Sequence, residues 1–380
     1  MRGFSPTVHG IVLCSFFLDF TLRSSGAFRN TESFSREAEP RGLEVIRRVS
    51  WVLIFLFEPG CWHLERTEPA RPPSDLPASW VEPYRPSHPG FNLRLELGED
   101  GGGSYECHHF FFDTYSELDA DFSSVEGRFY RTLEVPPGER APLLLISPIL
   151  GGAFDNYLAC RVFSWWACAE GISTFYLHQE ENILSGDRDG IELERLTRGN
   201  IRDNIRALDL FLQRADVDPL RVGSLGISLG AIKNVVLMAV EPRLSANVLC
   251  MGGADLGKIL ILSQEGSVLR YLEQRGARDS MTREEICAEV RRNYKAEPGR
   301  FAESIASDRV LLFLGSLDNK VPYKTGKALR EKLGEPETYI LPLGHYTAIL
   351  AAPFAAGKMF RFLKRRFGRP REGQRPALDE

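Results

Sequence analysis

The sequence predicts an α/β domain: a mostly parallel, twisted sheet with helices on both faces, an N-terminal β-rich extension and a helical lid insertion. Three observations carry this. Continuous apolar runs such as 143–146 and 310–314 suit strands buried on both faces of a parallel sheet. Helix-compatible stretches alternate with such runs from residue 143 onward, the order that builds a parallel sheet with helical cover. Finally, 221–240 passes from a short apolar strand through Gly226-Ile227-Ser228-Leu229-Gly230 directly into a helix.

The elements follow in order. Residues 91–97 alternate as FNLRLEL, Gly101-Gly102-Gly103 makes a turn, and 105–112 and 125–135 supply two further strands. The run 157–170 fits a helix with Gly171 just past its end, and 173–177 is the next strand. Asn200 can cap a helix whose Ile201, Ile205, Leu208 and Leu212 share one face, and Asp218-Pro219 ends that connection. Strands are expected at 246–250, 309–315 and 338–343, and helices at 326–333 and 354–367. Between 250 and 309 the chain is far longer than a crossover needs. Part of 260–272 is apolar, and Thr282-Arg283-Glu284-Glu285 forms a capping box before a helix to Tyr294. This insertion, 253–308, is expected to act as a lid over a pocket. The domain proper is 91–367, with a leader and extended segment over 1–90, Pro- and charge-rich from 65 to 89, and a disordered tail over 368–380.

Composition narrows the function. At 380 residues the chain can bury a large core, and one extended α/β domain is as well supported as two domains. A net charge of −4 with both signs mixed gives no reason to expect a nucleic-acid partner. The basic stretch 361–371 reads as a solvated helix end, where cations suit the dipole. Seven scattered cysteines without a C-x-x-C spacing indicate neither zinc nor a disulfide framework. Cys160, Cys168 and Cys250 read as buried thiols. Cys107-His108-His109 lies in a strand, where neighbouring side chains point to opposite faces and do not converge on one ion. The apolar run 10–20 is too short to span a bilayer, and Asp19 within it counts against export. The apolar 51–57 is expected to pack onto the domain rather than anchor to a membrane. A cytoplasmic protein is therefore expected, with export by an N-terminal signal as the other reading.

The chemistry centres on Ser228. A serine hydroxyl becomes a nucleophile when a base takes its proton and an acid fixes that base. Asp318 follows the apolar strand 310–314, at the carboxyl edge where sites of open α/β sheets lie. His345 follows the last strand in Gly344-His345. The chain order of the three is therefore Ser, Asp, His. Asp255, after the strand ending at Cys250, is the rival acid. An oxyanion needs two donors: the N–H of Leu229, at a helix start, and an N–H from 147–152, for which Leu150 is the candidate.

These motifs resemble the α/β-hydrolase superfamily over about 125–367, with serine esterases and the dienelactone-hydrolase-like branch the nearest match. The resemblance implies a Ser-His-Asp triad, no cofactor, no metal and a small-molecule ester or acyl substrate. One departure stands out: many members carry His-Gly where this chain has Pro148-Ile149, ahead of Leu150-Gly151-Gly152. The function expected is cleavage of a carboxylic ester or related acyl bond. A peptidase, amidase or thioesterase on the same triad, or a binding protein on an idle hydrolase fold, are the other readings.

Overall fold

Strands that are apolar at every position need cover on both faces, and the middle of the sheet is made of them. The computed structural model describes residues 63–65, 73–116, 121–150, 153–178 and 183–368. Its strands, in chain order, are β1 (His63–Leu64), β2 (Phe91–Asp100), β3 (Tyr105–Ser116), β4 (Asp121–Thr132), β5 (Ala141–Ser147), β6 (Ser173–Leu177), β7 (Val217–Ile227), β8 (Ala246–Cys250), β9 (Val310–Gly315) and β10 (Glu337–Leu341). They form one sheet in the order β1-β10-β9-β8-β7-β5-β6-β4-β3-β2. The six strands from β10 to β6 are mutually parallel. The N-terminal strands extend this sheet antiparallel beyond β6, and β1 closes the other side antiparallel to β10. Every residue of β5, β6 and β9 is buried, the polar Ser147, Ser173 and Thr174 included.

Alternation along β5 separates the two faces. Leu143 and Leu145 pack with Ile201 and Leu208 of α3 (Gly190–Leu212) and Val235 of α4 (Leu229–Val240). Leu144 and Ile146 pack with Cys160 and Phe163 of α2 (Ala153–Ala169), and with Phe360 and Leu363 of α10 (Ala352–Phe367). The insertion folds as α5 (Leu256–Leu262), α6 (Gly266–Asp279), α7 (Arg283–Asn293) and α8 (Pro298–Phe301). The Thr282–Glu285 capping box is formed in both directions. Its Leu260, Tyr271, Ile286 and Val290 join the same cluster as α3 and α4, so the insertion shares their core. The helix after β9 is α9 (Tyr323–Lys332).

Three expectations need correcting. The helix assigned from Asn200 begins at Gly190, where Asp189 caps it by accepting from the Glu192 N–H at 2.9 Å. Its apolar face continues back through Leu193, but the charged Glu192, Glu194, Arg195 and Arg198 around it hide this. Asp218-Pro219 does not end the connection; it lies inside β7, in the register shift between Ala141↔Val217 and Leu143↔Val222, where a missing donor is tolerated. The supposed extended segment up to Pro89 carries α1 (Ala78–Val81) and a 3-10 turn, Glu82–Tyr84. Tyr84 is buried against Phe301 and donates to Glu194 Oε1 at 2.8 Å, while Glu194 Oε2 accepts from the Ala296 N–H at 2.6 Å. One buried carboxylate thus ties the N-terminal segment, α3 and the end of the insertion together. The runs 10–20 and 51–57 and the residues after 368 lie outside the described residues.

Removing the phenol oxygen strips Glu194 of one donor inside the core. Tyr84→Phe is expected to lower stability by about 1–3 kcal/mol in chemical denaturation. Lys233 of α4 supplies a pH test. Burial pushes its ammonium down to about 8 from the ordinary 10.5. Between those values the unfolded chain binds the proton and the folded chain does not, so this group makes stability rise with pH across that window. Below it the buried charge is a full cost. Denaturation midpoints measured from pH 7 to 10.5 should show this rise, and Lys233→Met should flatten it.

Candidate active site

Ser228 sits between β7 and α4 with φ 55 and ψ −119, a backbone conformation that L-residues rarely adopt. Its N–H donates to the Cys250 carbonyl at 2.8 Å, extending the β7–β8 pairing by one residue. The flanking glycines make room for the turn. A Cβ on Gly226 would lie 2.7 Å from the Ala231 Cα. A Cβ on Gly230 would run into the Ser147 carbonyl oxygen and lie 2.6 Å from that of Pro148. The start of α4 is therefore pressed against the loop after β5, with backbone meeting backbone.

Parallel pairing brings the other two groups to the same edge. Beyond β9 and β10 the strands stay zipped, with Ser316 N–H donating to the Leu341 carbonyl at 2.8 Å and Leu317 N–H to that of Leu343 at 3.1 Å. This holds the loop of Asp318 against the loop of His345. Asp318 Oδ1 accepts from the backbone N–H groups of Lys320 at 2.8 Å and Val321 at 3.0 Å. Its Oδ2 lies 2.7 Å from His345 Nδ1, and His345 Nε2 lies 2.9 Å from Ser228 Oγ. A carboxylate only accepts, so Nδ1 carries the proton and Nε2 is free to accept from the serine hydroxyl. The Asp318 side chain is 2% exposed and that of His345 12%. Acid and base are thus shielded while the imidazole keeps one open edge.

Two acetyl xylan esterases and an acylaminoacyl peptidase are among the solved structures that the chain is similar to. The one from Thermoanaerobacterium sp. JW/SL YS485 is 15% identical with a TM-score of 0.52, covering 77% of this chain and 96% of that one. That from Paenibacillus sp. R4 is 15% identical with a TM-score of 0.54, covering 77% and 100%. The third, Pyrococcus horikoshii acylaminoacyl peptidase, is 16% identical with a TM-score of 0.50 over 72% of this chain and 44% of that one. The chain has the α/β-hydrolase fold. No protein-family model matches it, and no curated protein sequence does.

Within this hydrolase fold the structure brings Ser228, His345 and Asp318 together and leaves Asp255 out. Asp255 caps α5 by accepting from the Lys258 N–H at 2.9 Å and pairs with Arg291 at 3.0 Å. Leu229, the first residue of α4, and Leu150 line, together with Ser228, a cavity of about 420 Å³. The N–H of a first helical residue has no partner within its helix. Gly151 and Gly152 of the same loop lie outside the described residues. Cys250 also lines the cavity, and burial pushes its thiol up to about 12, so it faces the space as a neutral group. His108, of the Cys-His-His run, meets Glu106 at 3.2 Å, while Cys107 is fully buried on the α2 side. Among the described residues no group of three or more His, Cys, Asp or Glu is placed to hold a metal ion. No helix among them is long and apolar enough to cross a membrane.

Contacts that the sequence did not signal surround the site. Ser263 Oγ donates to the Lys320 carbonyl at 2.7 Å, Gln264 N–H to the Asn319 carbonyl at 2.9 Å, and Lys320 Nζ to the Gln264 carbonyl at 2.6 Å. Tyr346 donates its phenol proton to Glu265, and burial together with that carboxylate raises its pKa well above the ordinary value. The insertion is therefore sewn to the loop of Asp318. None of these residues belongs to a motif. A methyl group at Gly230 should part α4 from the loop after β5, so Gly230→Ala is expected to lower the thermal midpoint measurably while Gly357→Ala, in open space on α10, is not.

Proposed function

We propose that the chain is a serine hydrolase that cleaves a carboxylic ester or related acyl bond of a small molecule. The hydrogen-bonded series Ser228–His345–Asp318, at the carboxyl edge of the sheet, with Ser228 and His345 lining an apolar cavity, carries this reading. In the first half-reaction Ser228 Oγ attacks the carbonyl carbon and its proton passes to His345 Nε2. Asp318 stabilises the imidazolium, and the two backbone N–H groups on its other oxygen hold it oriented. The carbonyl oxygen, now negative, is received by the N–H groups of Leu229 and Leu150. Collapse breaks the bond to the alcohol oxygen, which takes the proton from Nε2. Water then gives a proton to His345 and attacks the acyl-serine, releasing the acid and restoring Ser228.

The same three groups serve amides and thioesters, so matched ester, thioester and peptide substrates rank these activities; an ester preference is expected. A fluorophosphonate should label the protein, and Ser228→Ala should abolish labelling; equal labelling of the variant would sink the proposal. The two aspartates separate cleanly. Asp318→Asn should cut kcat by on the order of a thousandfold or more, because the imidazole loses the acceptor that fixes its tautomer. Asp255→Ala should leave kcat within about twofold and lower stability instead, by the ~0.5–2 kcal/mol of a lost cap.

A further inference from the structure

The cavity draws its lining from both faces of the sheet. Leu193, Leu260 and Val268 belong to the cluster of α3 and α4, whereas Phe163 and Phe313, with Ala355 packed on them, belong to that of α2 and α10. A space lined by both clusters and by Ser228 reaches over the carboxyl edge of the sheet, with one arm against each cluster. The arms differ in chemistry. Beneath the insertion the apolar Ile259, Leu260 and Val268 are joined by the charged Glu265, Arg270 and Lys320. Leu158, Ala159, Phe163, Phe313, Leu341 and Ala355 border the arm between α2 and α10, and none of them is polar.

His345 tells the two apart. It must return a proton to the departing alcohol, so the alcohol leaves on the side that Nε2 faces. Tyr346 follows it directly and reaches Glu265 of the insertion, which puts the polar rim beside the proton donor. The acyl group is then directed to the other arm. We propose that the preferred substrate is an ester of a medium-length, unbranched fatty acid with a small polar alcohol, its alkyl chain lying in the arm between α2 and α10. This rests on the serine-hydrolase reading above. A cavity of about 420 Å³ holds roughly fourteen water-sized groups, so one arm takes a chain of about six to eight carbons. An acetyl group leaves that arm unfilled and forfeits the burial of every further methylene.

The experiment is a kcat/KM series on p-nitrophenyl acetate, butyrate, octanoate and palmitate, with fluorophosphonate labelling of Ser228 run on each preparation. For the wild type, kcat/KM is expected to rise about threefold per methylene from acetate to octanoate and to fall at palmitate. Ala355→Trp fills the uncharged arm, so the ratio of octanoate to acetate kcat/KM should fall at least about tenfold. Ile259→Trp, in the arm beneath the insertion, should keep octanoate ahead of acetate. An enzyme that is labelled yet hydrolyses acetate as well as octanoate overturns the chain-length assignment and leaves the hydrolase reading standing. Loss of the octanoate preference in Ile259→Trp rather than Ala355→Trp overturns the choice of arm. Absence of labelling in the wild type sinks the underlying reading itself. The wild-type series decides the chain-length question even if a tryptophan variant fails to fold.

Discussion

The site depends on one constrained backbone. Ser228 holds a positive φ that costs on the order of 1–3 kcal/mol, and the surroundings must over-determine it for it to persist. They do so from three directions. The Cys250 carbonyl takes the serine N–H, the side-chain-free Gly226 allows α4 to turn back on β7, and Gly230 admits the carbonyls of Ser147 and Pro148. The result is a hydroxyl raised off the end of β7, with the first N–H of α4 beside it. A relaxed turn would point the same hydroxyl into the sheet or along the helix.

The other two groups arrive by topology. In a run of parallel strands every carboxyl end falls on one edge, so residues far apart in sequence meet there without long-range design. Pairing continues past the formal ends of β9 and β10 through Ser316 and Leu317, which fixes the distance between the two loops more tightly than the strands alone could. Asp318 is then held by two N–H groups of its own turn, and the imidazole is held by Asp318. Each member is positioned by the one before it.

Much of this was legible in the sequence because it is written in local patterns. The unbroken apolar runs gave β5, β6, β8 and β9 nearly to the residue, and the glycine-flanked serine between strand and helix marked the elbow. Asp318 and His345 were legible because they follow apolar strands in a fixed order. What escaped was set by contacts distant in sequence. The first half of α3 carries Glu194, Arg195 and Arg198, yet Glu194 is buried there by partners on Tyr84 and Ala296. Asp218-Pro219 looks like a terminator, and only the neighbouring β5 shows that a register shift absorbs it. Asp255 and Asp318 are alike in sequence, each just after a strand. They part company because Arg291 of the insertion engages the first and the β10 loop meets the second.

The seam between the insertion and the Asp318 loop has a consequence for how such a protein can change. Ser263, Gln264 and Lys320 exchange hydrogen bonds two residues from the carboxylate, so the wall of the cavity and the seat of the acid are one piece of backbone scaffolding. An insertion of different shape could not be exchanged as a module on this sheet. It would have to bring its own means of bracing the acid's turn, or the imidazole would lose its alignment along with the old wall.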